Sequence, residues 1–142
     1  MEHSAVPWIQ IPAKKLARAA EFYEAVFDAS FFFEELNEIP HAVFKNTANR
    51  KELIHGAIVE LEDYENAGRG TILFFDATGD FETIMELIVE KGGKIIKEKT
   101  LIISKESSSS YTIPNTYIDN KPGYYAHFLD SEGNRMGLYG TN

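Results

Sequence analysis

The sequence contains no cysteine. This absence excludes disulfides, thiolate nucleophiles and zinc or iron–sulfur sites held by cysteine, and it fits a reducing compartment. Basic residues are also scarce, with 14 lysines and arginines against 22 aspartates and glutamates and a net charge of −8. A sequence-independent nucleic-acid surface needs clustered cations that displace condensed counterions. We therefore expect no nucleic-acid partner.

Long apolar runs are missing as well. No stretch approaches the roughly 18 to 20 residues that cross a bilayer, and the first residues lack the basic and apolar regions of a signal peptide. We expect a soluble, cytoplasmic protein that does not bind membranes. The P-loop, the dinucleotide fingerprint Gly-x-Gly-x-x-Gly and the nucleophile elbow Gly-x-Ser-x-Gly are also absent, so hydrolase and nucleotide-binding functions have no support from motifs.

What the chain does have is the composition of one globular domain, with 142 residues of which 44% are hydrophobic. Apolar periodicity predicts the order β-α-β-β-β twice. The helices are recognised by apolar residues spaced three and four apart, and Pro12 and Asp80 are expected to begin them. We predict two modules, residues 1–65 and 66–142. The first has strands at 5–12, 30–36, 41–45 and 52–61 and a helix at 13–28; the second has strands at 70–77, 94–103, 124–130 and 135–139 and a helix that follows Asp80 and stops at 91–93.

The segment 104–123 is longer than a hairpin connection requires and has weak periodicity. Loops of this length in compact domains are usually functional or mobile. We keep two interpretations open: a loop that serves the site, and a solvated connection with no role.

Four separated segments resemble the vicinal oxygen chelate superfamily, which includes glyoxalase, bleomycin resistance proteins and extradiol dioxygenases. Residues 11–23 are similar to its first strand and helix, and 123–138 to its closing hairpin with an Asp-x-x-Gly-Asn turn. Residues 68–71 and 91–93 also lie where the family places them. The resemblance implies an α+β fold in which two tandem βαβββ modules form a cupped mixed sheet around a cavity, with a helix on the convex side of each module. It also implies a homodimer.

Metal-binding members of this superfamily use one ligand on each of the first, fourth, fifth and eighth strands. The resemblance carries these positions onto Trp8, onto Gly56 or Glu60, onto Thr71 or Ile72, and onto Gly137. The preferred assignments offer no histidine or carboxylate ligand. We therefore expect no cofactor, and we keep a divalent metal (Zn, Ni, Fe or Mn) as the alternative.

Strand alternation assigns one set of side chains to the cavity. On the fourth strand we assign Ile54, Gly56 and Ile58 to the cavity and His55 to the opposite face. The aromatic and polar members of the cavity set suit a small flat or amphipathic molecule, with Arg135 meeting an acidic group. Each also has a structural interpretation as packing or a solvated charge. The predicted ligand-binding residues are Trp8, Gln10, Phe75, Tyr125, His127 and Arg135.

His127 is the best candidate for acid–base chemistry, because imidazole titrates near neutrality. By contrast, Asp130 and Glu132 are predicted to serve a turn rather than an acid pair. Three hypotheses follow: a metal-free protein that binds a small organic ligand between the modules; a metal-dependent lyase, isomerase or dioxygenase that uses Glu60, His127 and Gln10; and an interaction module with a closed cavity.

Overall fold

The computed structural model describes residues 5–45, 54–61, 63, 65, 70–103 and 121–142. The predicted α+β fold is confirmed, because the order β-α-β-β-β occurs twice. The chain divides into two compact units, Met1–Glu65 and Asn66–Asn142, and the described residues of each form one four-stranded sheet and one helix. No helix in the described ranges has the length and apolarity needed to span a bilayer. Residues 104–120 lie outside the described ranges, so the role of this segment stays a prediction.

The first unit is a mixed sheet with one helix packed on it. Its strands run in the order β1-β4-β3-β2, with β1 parallel to β4 and the other pairs antiparallel. Tyr23 of the helix contacts Phe44 of the sheet edge-to-face, with ring centroids 6.4 Å apart. We call the side of each sheet opposite its helix the open face. The elements are β1 (Ile9–Ala13), α1 (Leu16–Phe27), β2 (Phe31–Leu36), β3 (Ile39–Phe44) and β4 (Gly56–Glu60).

The start of α1 differs from the prediction. The helix begins at Leu16 rather than at residue 13, and Pro12 belongs to β1 instead of the first helical turn. Strand β1 lies at the edge of its sheet, where a residue without a backbone N–H is tolerated. Pro12 therefore marks neither the end of β1 nor the start of α1. The strand ends at Ala13 and the helix begins at Leu16.

A carboxylate from another strand holds the first turn of α1. The backbone N–H of Leu16 donates to Glu60 Oε2 at 3.0 Å, whereas Lys15 supplies no side-chain cap. A negative charge at a helix N-terminus is favourable because the helix dipole is positive there. Glu60 thus compensates for a first turn that contains no acidic residue.

The register of β4 corrects the predicted face of that strand. Ile58 pairs with Ile11 and Gly56 pairs with Ile9, and paired residues point to the same side of a sheet. Ile11 and Ile58 are both buried, at 1% and 0% exposure. Gly56 and Ile58 therefore lie on the helix side, and their assignment to the cavity is wrong. By alternation, Ala57 belongs to the open face; His55 precedes β4, and its direction stays a prediction.

The second unit repeats the architecture. Its strand order is β5-β8-β7-β6, with β5 parallel to β8 and the other pairs antiparallel. Phe81 of its helix contacts Tyr124 of the sheet, and Ala126, Phe128 and Leu138 are each fully buried. The elements are β5 (Phe74–Asp76), α2 (Phe81–Glu90), β6 (Lys94–Leu101), β7 (Gly123–Leu129) and β8 (Arg135–Thr141).

The ends of α2 follow the predicted signals with one exception. Asp80 occupies the N-cap position but its side chain makes no capping hydrogen bond. Glu82 lies in the first turn, and the pKa of its carboxyl is lowered by a hydrogen bond from its own backbone N–H and by Lys99. The helix stops before Gly92, which has a φ of 98°, a value that favours glycine.

The predicted turn role of Asp130 is confirmed. Its carboxylate accepts hydrogen bonds from the backbone N–H groups of Glu132 and Asn134 at 2.8 and 2.9 Å, and from the Asn134 side-chain amide at 2.9 Å. Gly133 has a φ of 84°. Asp130 is 2% exposed, so its lone pairs are used within the turn that joins β7 to β8.

The cap on α1 gives a first prediction. We expect Glu60→Ala to lower the free energy of unfolding by about 1 kcal/mol, because it removes both the hydrogen bond and the charge at the helix N-terminus. Glu60→Gln should lose about half as much, since an amide oxygen still accepts. Urea unfolding measures both. Glu24→Gln, which removes an exposed charge beyond the first turn of α1, is the control; equal stability of Glu60→Ala and wild type would contradict the cap.

Candidate functional site

The open face of the second sheet carries three cross-strand rows. The first row contains Lys94, Leu129 and Arg135; the second contains Lys97, His127, Gly137 and Phe74; the third contains Thr100, Tyr125, Tyr139 and Asp76. Side chains in one row are direct neighbours, and rows two residues apart lie on the same face. Cations therefore lie at one end of this face, with aromatic rings beside and beyond them.

The centre of the face is the ring of His127. Phe74 and Tyr125 approach it edge-to-face on different strands, with centroid separations of 5.5 and 5.6 Å. Lys97 Nζ lies 5.7 Å from the centroid of the Tyr125 ring, close enough for a cation–π interaction. We call Phe74, Lys97, Tyr125, His127 and Arg135 the His127 cluster.

Arg135 determines which nitrogen of the His127 imidazole carries the proton. Its Nε–H donates to His127 Nδ1 at 3.1 Å, and Nη2 lies 2.9 Å from the same atom. A guanidinium only donates, so Nδ1 is the acceptor and the ring proton of the neutral imidazole is on Nε2. Burial lowers the pKa of His127, and the charges of Arg135 and Lys97 lower it further. The ring is therefore held neutral and offers an N–H donor at Nε2.

This state changes the role predicted for His127. A general base needs a lone pair that faces the reacting group, and a metal ligand needs the same lone pair. In His127 the available lone pair, on Nδ1, is already used by Arg135. In this geometry the ring offers a hydrogen-bond donor at Nε2, and Nδ1 offers no lone pair to a substrate proton or a metal.

Lys97 joins the cluster because β6 is irregular. The pairing of β6 with β7 shifts between Ile95 and Lys97 and again between Lys97 and Thr100. Strict alternation from Lys94 would place Lys97 on the helix side. The first irregularity turns it to the open face opposite His127, as bulges near binding sites commonly do.

The state of His127 gives a second prediction. We expect Arg135→Gln to raise the pKa of His127, because it removes a positive charge that disfavours protonation. Proton NMR titration of the imidazole Hε1 signal measures the shift. Lys99→Gln is the matched control, since Lys99 is on the same strand as Lys97 but contacts Phe81 and Tyr124 on the helix side. An unchanged or lower pKa in Arg135→Gln would contradict the assignment.

At the metal-ligand position implied on the eighth strand, the structure has a phenyl ring. A Cβ added to Gly137 would lie 2.4 Å from ring atoms of Phe74, well inside van der Waals contact. The Phe74 ring therefore occupies the space that a longer side chain at this position would need. A carboxylate cannot stand there without displacing the ring.

The implied ligand positions of the first unit do not fit a metal either. Trp8 offers no ligand atom, and a Cβ on Gly56 would lie 2.2 Å from the carbonyl oxygen of Ile9. Gln10 pairs with Ala57 on the open face, so alternation puts Glu60 on the opposite side, where it caps α1. Gln10 and Glu60 therefore cannot hold the same ion. Over the described parts of the chain, no group of three or more His, Cys, Asp or Glu residues is arranged to bind a metal.

The predicted ligand-binding residues are divided by the structure. Tyr125, His127 and Arg135 come together in the His127 cluster. Gln10 lies on the open face of the first sheet, opposite Ala57, and Trp8 directly precedes β1 and is 45% exposed. Their part in ligand binding stays a prediction.

The predicted face of Phe75 is wrong. Phe75 pairs with Leu138, which is fully buried on the helix side, whereas Phe74 pairs with Gly137 on the open face. Phe74 and Lys97 are the two residues of the cluster that sequence reasoning missed. The run Ile72-Leu73-Phe74-Phe75 is apolar throughout and contains no alternation that would have distinguished the two phenylalanines.

The contact between Phe74 and Gly137 gives a third prediction. We expect Gly137→Ala to cost about 1 to 3 kcal/mol of folding stability, because the added methyl group collides with the ring. In the Phe74→Ala background the same change should cost close to nothing. A double-mutant cycle by chemical denaturation isolates this coupling. Additive effects of the two substitutions would show that the ring does not fill this space.

Comparisons with known proteins agree with this fold. The family model "Glyoxalase/Bleomycin resistance protein/Dioxygenase superfamily" matches residues 5–137. No curated protein matches the chain.

Solved structures give more distant similarities. A mutant of the fosfomycin resistance protein FosX from Listeria monocytogenes, complexed with Mn(II) and 1S,2S-dihydroxypropylphosphonic acid, is 13% identical, with 100% of this chain and 95% of that chain covered and a TM-score of 0.67. A glyoxalase/bleomycin resistance protein from Albidiferax ferrireducens is 14% identical, with coverage of 96% and 99% and a TM-score of 0.59. A glyoxalase-related enzyme from Fulvimarina pelagi is 15% identical, with coverage of 98% and 89% and a TM-score of 0.61. At these identities the similarity concerns the fold.

Proposed function

Because the chain belongs to the glyoxalase/bleomycin resistance protein/dioxygenase superfamily, we propose that it binds a small organic anion on the open face of its second sheet without using a divalent metal. The His127 cluster is the site. The observation that carries the proposal is the Arg135–His127 hydrogen bond beside Lys97, since it groups three hydrogen-bond donors, two of them cationic, around aromatic rings.

The anionic end of the ligand meets the donors. Arg135 uses Nε and Nη2 on His127, and its remaining Nη1 donates to the ligand. Lys97 adds an ammonium from β6, the strand paired with β7, and His127 adds the N–H on Nε2. Charge-assisted hydrogen bonds of this kind are shorter and stronger than neutral ones. The group recognised is a carboxylate, phosphate or phosphonate.

The apolar part of the ligand lies over the aromatic members. Phe74 is 49% exposed, and its ring covers Gly137, so the ring itself forms the accessible surface at this point of the sheet. A flat group would contact Phe74, Tyr125 and the imidazole, which together present apolar surface from three strands. Sites for small molecules typically combine such surface with a few directed polar groups.

The FosX structure supports the ligand class, because that protein holds a small organic phosphonate together with Mn(II). In this chain the metal-ligand position on the eighth strand is Gly137, and the Phe74 ring covers it. The anion would therefore contact the cationic side chains of Arg135 and Lys97 without a metal ion between them. His127 acts as a donor that orients the bound acid. No proton transfer is assigned to it.

Calorimetric titration tests the proposal with 3-phenylpropionate as the probe and 3-phenylpropanamide as its uncharged analogue. We expect wild type to bind the acid more tightly than the amide. Arg135→Gln should weaken binding of the acid about 10- to 100-fold, in keeping with loss of a charged hydrogen bond, and Lys97→Gln should weaken it several-fold. Lys99→Gln is the control on the opposite face. Equal binding of acid and amide, or full affinity in Arg135→Gln, would overturn the proposal.

Metal dependence is tested on the same protein. A specific ion stabilises the native state by mass action. We expect melting temperatures that agree within about one degree for chelator-treated protein and for protein with added zinc, nickel or manganese. A rise of several degrees with one ion, lost in His127→Gln, would replace this proposal with a metal-dependent activity. The homodimer and the cytoplasmic location stay predictions.

A further inference from the structure

The open face contains a buried hydroxyl that no contact described so far uses. Tyr139 belongs to the third row, next to Tyr125 on one side and Asp76 on the other. Its Oη atom is buried, and within the described residues no group hydrogen-bonds it. A buried polar group without a partner is costly, so a ligand group that displaced the atoms covering this hydroxyl and hydrogen-bonded it would be favourable.

The neighbouring polar group does not supply that partner. Asp76 Oδ1 accepts hydrogen bonds from the backbone N–H of Thr78 at 3.0 Å and from the Thr78 hydroxyl at 2.7 Å. These bonds turn the carboxylate of Asp76 towards the loop that follows β5. The Tyr139 hydroxyl keeps one donor and two acceptor sites unused.

The position of Tyr139 relates this hydroxyl to the proposed site. It is two residues beyond Gly137 on the same face of β8, about 7 Å along the strand, and Arg135 is the same distance on the other side of Gly137. A ligand whose acidic group meets Arg135 and whose flat part lies over the Phe74 ring, which covers Gly137, would extend towards the third row. Tyr139 therefore lies in the row at the end of the site opposite the cations.

We propose that Tyr139 is a specificity-determining residue whose hydroxyl binds a second polar group of the ligand, at the end away from the acid. This inference rests on the proposed function. It narrows the ligand class to elongated organic acids with a flat apolar middle and a hydroxyl or carbonyl group at the far end.

The test compares two probes, 3-(4-hydroxyphenyl)propionate and 3-phenylpropionate, on wild type and Tyr139→Phe by calorimetric titration. We expect wild type to bind the hydroxylated probe about 3- to 10-fold more tightly, the range that one hydrogen bond supplies. Tyr139→Phe should bind both probes equally, with the wild-type affinity for 3-phenylpropionate. Its melting temperature without ligand should be no lower than that of wild type, because an unpartnered hydroxyl has been removed.

Tyr124→Phe is the matched control. Tyr124 lies on the helix side of β7, and its hydroxyl accepts a hydrogen bond from Asn142 Nδ2 at 3.2 Å. We expect this variant to retain the preference for the hydroxylated probe while losing some thermal stability. It separates a general effect of removing a tyrosine hydroxyl from one specific to the open face.

The negative results of this experiment distinguish failure of the Tyr139 role from failure of the proposed function. If wild type shows no preference between the probes, if Tyr139→Phe keeps the preference, or if Tyr139→Phe melts below wild type, the role of Tyr139 is refuted while Arg135-dependent binding still stands. If neither probe binds, or if binding is indifferent to Arg135→Gln, the proposed function itself fails and this inference fails with it.

Discussion

The register between β7 and β8 is the constraint on which the second unit depends. These strands pair without a break from Gly123 opposite Thr141 to Leu129 opposite Arg135. A shift of one residue would turn every side chain of a strand to the other face. Asp130 prevents such a shift, because its buried carboxylate accepts three hydrogen bonds inside the connecting turn. The contact between Arg135 and His127 follows from this turn.

Much of the second unit could be predicted because the register of β7 and β8 is visible in the sequence pattern of those two strands and of the turn between them. In β7 and β8, residues buried against the helix alternate with aromatic and polar ones, so Tyr125, His127 and Arg135 were assigned to the correct face. The turn residues at 130–134 are also recognisable by type. Where alternation is present in the sequence, face and register follow from it.

The errors fall where alternation is absent. Residues 56–59 of β4 are all buried, so the period of two gives no sign of which side meets the helix. The apolar run before Asp76 also lacks alternation, so the pattern predicts Phe75 on the open face whereas the register puts Phe74 there. Lys97 depends on an irregularity in β6, and Glu60 reaches a helix 44 positions away in sequence. Such contacts are set by tertiary packing, and no local pattern encodes them.

The net charge of the whole chain also does not indicate the local charge of one site. The chain carries a charge of −8, yet Lys94, Lys97 and Arg135 share one face of the second sheet. Screening limits the reach of each charge to about 8 to 10 Å at physiological ionic strength, so a small anion close to these side chains experiences mainly their local field. A polyanion is larger than this distance and meets the acidic remainder of the surface. The same sequence can therefore disfavour nucleic acid and still suit a small organic acid, because the cations are few and lie together.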